Sequence, residues 1–225
     1  MKTILVSFVA LGALVAAAPV AWQSRVAAQS NGAYAMGNPA AKVKLVEYLS
    51  YTCPHCAQFV GAASKELKGG HVARGQVHLE FRNAVRDRYD FAAALLARCG
   101  GASRFFGNSD AIMAAQSQWL ARVPAFEAES GESIGKMEPN EGLKAVVRGI
   151  GLDAVMKARG FTAAQIDACI VSKPDQDHVL VMTNEAWRTR QIKGTPSFLI
   201  NGQIVEGSNW AAIKPKLTAA LAAKR

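Results

Sequence analysis

Residues 43–51, VKLVEYLSY, are almost unbroken in apolar character, and the helical repeat CAQFVGAASKEL begins at Cys56, after only four intervening residues. A strand apolar on both faces needs cover on both sides, and such strands occur where helices pack on the sheet. A chain that passes straight from this kind of strand into a helix is limited to an α/β architecture. The joint between them is Cys53-Pro54-His55-Cys56. It puts Cys53 at the helix N-terminus, where unpaired backbone N–H groups favour negative charge. Pro54 suits the first helical position, because its missing N–H costs nothing there.

The rest of the chain extends this unit. VHLEFRNAV (77–85) reads as the next strand and completes a βαβ unit, with Gly69-Gly70 expected to end the intervening helix. Residues 31–42, NGAYAMGNPAAK, read as a loop. From residue 89 to 173 the pattern is helical, in YDFAAALLARC, DAIMAAQSQWLARV, NEGLKAVVRGI and TAAQIDACI, with a loop expected over 124–139. Beyond Pro174 come a long helix, the short strands SFLI and QIVE, and a closing helix. Asn201-Gly202 between those strands is a two-residue hairpin signal. The expected divisions are a leader over 1–28, a sheet domain in two parts (29–88 and 174–225) and a helical insertion over 89–173. A chain of 225 residues accommodates one domain with such an insertion.

Met1-Lys2 precedes the apolar run ILVSFVALGALVAAAPVAW, the pattern of a secretory signal. Cleavage after Ala28 would leave small residues, Val26 and Ala28, at the two positions that signal peptidase reads. The alternative is an uncleaved N-terminal membrane anchor, for which the run is long enough. The formal charge is +9, but Lys and Arg are scattered without basic blocks or aromatic interleaving, so no nucleic-acid partner is expected.

Export would carry the chain to an oxidising compartment, which makes the even cysteine count informative: Cys53, Cys56, Cys99 and Cys169. A disulfide across a CxxC loop restrains the unfolded chain little, so a staple is a poor use of the pair. A haem attachment site needs His after the second cysteine, and Ala57 stands there. A zinc site would call for a second close pair, whereas Cys99 and Cys169 are isolated from each other. His71, His78 and His178 show no ligand spacing, and no metal or cofactor is expected. GIGLDA (149–154) fits a nucleotide-binding glycine pattern but follows a helical stretch instead of a strand. The remaining reading of Cys53 and Cys56 is a redox pair.

VEYLSYTCPHC, RNAVRDRYDFAAALLARC and KGTPSFLING together resemble the DsbA-type thiol:disulfide oxidoreductases, and the likeness runs over nearly all of the chain after the leader. The resemblance implies a thioredoxin-like α/β fold with an inserted α-helical subdomain. It implies a monomer that oxidises cysteines in reduced, unfolded exported polypeptides and is itself reoxidised by a quinone-linked membrane partner. Cys53 would be the exposed nucleophile and Cys56 the buried resolving thiol, with His55 adding a donor beside the sulfur. Pro196 would be a cis proline packed against the pair, and Thr195 would offer backbone groups to a substrate strand. Glu47, an acid in an apolar strand, matches a family acid under the active site and reads as a proton relay for Cys56. Its alternative is an acid that merely reaches the sheet edge. With Cys53–Cys56 as the redox pair, Cys99 and Cys169 remain to form a structural disulfide, as in some branches of the family, or to stay as two buried thiols.

Thr195 departs from the Val that strong oxidases of the family often carry there, and Thr is common in the isomerases. Three activities stay open on the sequence: a dithiol oxidase, a reductase or isomerase on the same fold, and a non-catalytic chaperone-like or metal-binding module.

Overall fold

The computed structural model describes residues 21–223. Most of the expected leader lies outside the described residues, but its last part does not. Trp22–Ser24 form a 3₁₀ turn, and Val26–Ala28 form a strand, β1, that pairs antiparallel with β2 (Tyr34–Gly37). A cut after Ala28 would therefore take a strand out of the sheet, so the sheet domain begins ahead of the expected boundary at 29. β2 itself corrects the loop expected over 31–42. Its Ala and Gly carry little strand propensity, and it forms because both neighbours supply ladder partners.

β3 (Val43–Leu49) pairs parallel with β4 (Val77–Asn83) and antiparallel with β5 (Ser197–Ile200), which pairs with β6 (Gln203–Val205). The order β1-β2-β4-β3-β5-β6 makes β3 central, in keeping with its apolar character on both faces. Asn201 and Gly202 turn between β5 and β6 with φ of 50° and 83°, the left-handed pair that a tight hairpin requires.

α1 (Pro54–Glu66) lies on one face of the sheet and buries Cys56, Phe59, Val60 and Ala63, the i, i+3, i+4, i+7 stripe of an amphipathic helix. Phe59 meets Phe198 of β5 at a centroid distance of 4.5 Å. Gly69-Gly70 do not end this helix; the chain runs through them in a π turn over Leu67–Val72. The opposite face is closed by the π turn Glu185–Thr189 that follows α9 (Lys173–Asn184), where Ala186, together with Ile192, packs onto Val46, Tyr48 and Leu199. α10 (Trp210–Ala223) packs beside α1 through Trp210.

Seven helices fill the insertion: α2 (Arg88–Arg98), α3 (Ala102–Ala114), α4 (Gln116–Leu120), α5 (Val123–Ile134), α6 (Pro139–Gly149), α7 (Leu152–Ala158) and α8 (Ala163–Ile170). α2 buries every residue from Ala92 to Arg98, so its apolar run reflects a helix surrounded on all sides. α5 corrects the loop expected over 124–139. Its Pro124 sits in the first turn, where proline is tolerated, and only Ile134 is buried, so the helix lacks the apolar stripe that would reveal it. Gly149-Ile150-Gly151 joins α6 to α7 and follows no strand, so it has no phosphate-binding context.

Cys99, just past α2, and Cys169 in α8 form a disulfide with Cα atoms 5.5 Å apart and a sequence separation of 70. It ties the first helix of the insertion to the last. Replacing both cysteines by Ala is expected to lower stability by about 4 kcal/mol on chain-entropy grounds. Urea unfolding with the Cys53–Cys56 pair held in one redox state measures this, and an unchanged midpoint would contradict it.

Candidate active site

The parallel strands β3 and β4 end beside each other, and the loop Ser50–Cys53 leaves β3 at that end to start α1. Cys53 caps the helix with extended backbone (φ −90°, ψ 115°), and its carbonyl accepts the Cys56 N–H (3.1 Å) and the Ala57 N–H (3.3 Å). The Thr195–Pro196 peptide bond is cis and brings the Thr195 carbonyl to 3.1 Å from Cys53 Sγ, which donates to it in the thiol form. Cys53 is consequently only 4% exposed and not the open thiol expected from the sequence. The cis-proline loop covers it. Cys56 is fully buried one turn further in. Neither cysteine is bonded to the other in this structure.

The two thiols are electrostatically opposite. Cys53 is pushed down from 9.0 to about 5, first by a hydrogen bond from the Cys56 thiol, then by the Thr195 hydroxyl and by the backbone N–H groups of Cys56 and His55, against the opposing effect of burial. Burial, followed by the hydrogen bond it makes to Cys53, pushes the Cys56 thiol up. A thiolate is therefore held at Cys53 while Cys56 keeps its proton, the asymmetry that directs exchange to one sulfur. His55 is exposed, and it is its main-chain N–H, not its ring, that bears on Cys53.

Glu47 is 3% exposed and lies in register between Phe81 and Phe198, on the face that α1 covers. Burial raises its carboxyl from 4.5 to about 7, opposed by Lys68, with Asp110 adding to the rise. Lys68 and Asp110 pair at 2.5 Å on the solvent side of this group. A carboxyl beneath the helix that carries Cys56, protonating near neutrality, has the properties of a proton donor and acceptor.

Four further side chains hold the redox loop, and none of them stood out in the sequence. Asp90, fully buried in α2, accepts the Tyr51 N–H (2.7 Å) and the Arg86 N–H (3.0 Å). Asp87 caps α2 through the Asp90 N–H (2.8 Å) and accepts the Thr52 hydroxyl (2.8 Å). Gln116 of α4 donates to the carbonyls of Tyr51 (2.7 Å) and Cys53 (2.9 Å). Ser109 of α3 accepts the Tyr51 hydroxyl (3.0 Å). An acid next to the apolar run FAAALLA was a usable clue to Asp90, of the same kind that marks Glu47. Nothing in the local pattern singles out Gln116.

A family model described as Thioredoxin matches residues 29–217. A crystal structure from Novosphingobium aromaticivorans, titled a protein-disulfide isomerase, is 35% identical, with a TM-score of 0.76 over 84% of this chain and 97% of that one. Wolbachia pipientis alpha-DsbA1 is 18% identical and shares the fold at a TM-score of 0.62 over 84% and 91% of the two chains. A Rickettsia bellii protein with a provisional protein-disulfide oxidoreductase name is 26% identical over 187 residues, which is 83% of this chain and 63% of that protein. The chain thus spans less than two thirds of that relative's length.

The lowered Cys53 pKa gives the reduced protein a stability term that the oxidised protein lacks. A depressed pKa stabilises the fold above the unfolded value and stops doing so as pH falls through the folded value. Glu47 and Asp90 titrate in both redox forms and drop out of the difference to first order. The melting temperature of the reduced protein minus that of the oxidised protein should therefore shrink from pH 8 to about pH 5 and level off below it. Thiolate absorbance at 240 nm should give a Cys53 midpoint near 5, moved upward in Thr195→Val. A midpoint near 9 would contradict the geometry described.

Proposed function

The chain belongs to the thioredoxin family, and from that premise and its likeness to protein-disulfide oxidoreductases we propose that it acts as a DsbA-type enzyme, introducing disulfide bonds into exported polypeptides by exchange at Cys53-Pro54-His55-Cys56. The observation that carries this reading is the stabilised Cys53 thiolate over a buried, protonated Cys56. Whatever stabilises the reduced pair makes the disulfide a stronger oxidant.

In the oxidised enzyme a client thiolate attacks Cys53 Sγ, the S–S bond breaks, and its electron pair leaves on Cys56. The departing Cys56 thiolate sits in an apolar site and takes a proton, for which Glu47, on the sheet face that α1 covers, is the candidate. A second client thiolate then attacks the client sulfur of the mixed disulfide, and Cys53 leaves as the thiolate that Thr195 and the helix amides stabilise. Two client thiols are oxidised and one enzyme disulfide is reduced. The cycle closes when an external acceptor, in this proposal a quinone-linked membrane protein, takes the two electrons. The clients are reduced, unfolded polypeptides in the periplasm, reached behind an N-terminal leader or anchor. Their backbone would dock along the cis-proline loop beside Thr195.

One observation favours a second reading on the same site. Thr195 before the cis proline, with a 35%-identical neighbour titled an isomerase, suits a reductase or isomerase. Equilibration with glutathione separates the two. An oxidase is expected on the DsbA side of the roughly 150 mV that divide DsbA from thioredoxin, and a potential near thioredoxin's would overturn the oxidase reading. Cys56→Ala should accumulate mixed disulfides with clients several-fold over Cys53→Ala, because its intermediate cannot be resolved. Equal trapping by both would reverse the assigned roles.

A further inference from the structure

Tyr51 and Cys53 flank Thr52 at the mouth of α1, and their main-chain groups are held by side chains of the helical insertion. Asp90 of α2 takes the Tyr51 N–H at 2.7 Å, and Gln116 of α4 gives both of its amide hydrogens, one to the Tyr51 carbonyl at 2.7 Å and one to the Cys53 carbonyl at 2.9 Å. Gln116 is 5% exposed, and a buried amide is retained only where its hydrogens are used. The Cys53 carbonyl is also the acceptor for the Cys56 and Ala57 N–H groups in the first turn of α1. Gln116 therefore acts on the peptide plane that fixes both where Cys53 Sγ points and how the helix amides are aimed at it. Trp119 holds α4 in place by donating to the Ile112 carbonyl at 3.1 Å.

We propose that Gln116 and Asp90 are positioning residues for thiol exchange, clamping the peptide planes on either side of Thr52 so that Cys53 Sγ is kept between the helix amides and Thr195. The inference rests on the exchange chemistry proposed above. It assigns the insertion a part in tuning the redox sulfur in addition to filling space beside the sheet. The mechanism is orientational. Without Gln116 the Cys53 peptide turns more freely, and the N–H groups of His55 and Cys56 spend less time directed at the thiolate. Asp90→Asn acts in the same direction, because its amide nitrogen must face one of two N–H groups that the carboxylate now accepts.

The test uses the full chain in reduced form with Gln116→Met, which keeps length and shape but has no donors, and with Asp90→Asn. The readouts are the Cys53 titration at 240 nm and the rate of alkylation by iodoacetamide across pH, with near-ultraviolet circular dichroism and melting temperature as controls of folding. The expected result for Gln116→Met is about tenfold less thiolate at a pH below the midpoint, equivalent to a potential about 30 mV more reducing. Asp90→Asn should shift the same way. Variants that melt earlier while keeping the Cys53 midpoint and alkylation rate within twofold would overturn the proposal and leave both residues purely structural. If Gln116→Met does not fold, a folded Asp90→Asn decides the matter. If neither folds, the proposal fails, because a positioning role needs a fold that survives the loss of the residue. A wild-type potential near thioredoxin's would sink the oxidase reading without touching these readouts, which are taken on the reduced sulfur alone.

Discussion

Cys53 holds its place because β3 hands over to α1 within four residues, and the rest of the molecule serves that handover. The central strand has to be covered on both faces, so α1 and α10 lie on one side and the turn that follows α9 on the other. The cis Thr195–Pro196 bond at the start of β5 closes over the sulfur, since β5 is the antiparallel neighbour of β3. The parallel partner β4 leads straight into α2, and through it the insertion reaches the same loop. One sulfur is thus addressed from a helix terminus, a strand entrance and a helical subdomain, each of which constrains a different neighbour of it.

Much of this was legible in the chain. The apolar run 43–51, the Cys-Pro step, the Asn201-Gly202 turn and the alanine-rich repeat of α2 each carry a local signal that survives tertiary packing. What escaped notice shares a physical cause. Half of the strand YAMG is Ala and Gly, which carry little strand preference, and it exists because β1 and β4 flank it. α5 is amphipathic only weakly because it lies on the outside of the insertion. Gln116 acts 63 residues away from Cys53, and no periodicity or motif encodes such a contact. Local preference reports which elements form, and long-range contacts decide which polar groups meet.

The two buried carboxyls, Glu47 in β3 and Asp90 in α2, have different partners. Asp90 accepts two backbone N–H groups from the chain around the site, so its oxygens are committed to shape. Glu47 lies between aromatic neighbours with Lys68 and Asp110 as the nearest influences, so its proton is the freer of the two. Both rise to about 7 because burial outweighs every favourable contact. Similar acidity, reached in surroundings this different, is compatible with different duties, one in holding geometry and one in moving a proton.

The covalent link between Cys99 and Cys169 gives the molecule a history. Cys99 follows α2, the helix whose Asp90 grips the loop around the active sulfur, so the finished scaffold contains a bond of the kind that thiol–disulfide exchange makes and breaks. A newly made copy arrives with that pair of thiols still open. On the oxidase reading proposed above, its maturation would be a reaction of the same class as its work, and copies already oxidised could finish those that come after. A population of such molecules would pass its own assembly forward, with a lag when few are complete and acceleration as their number grows.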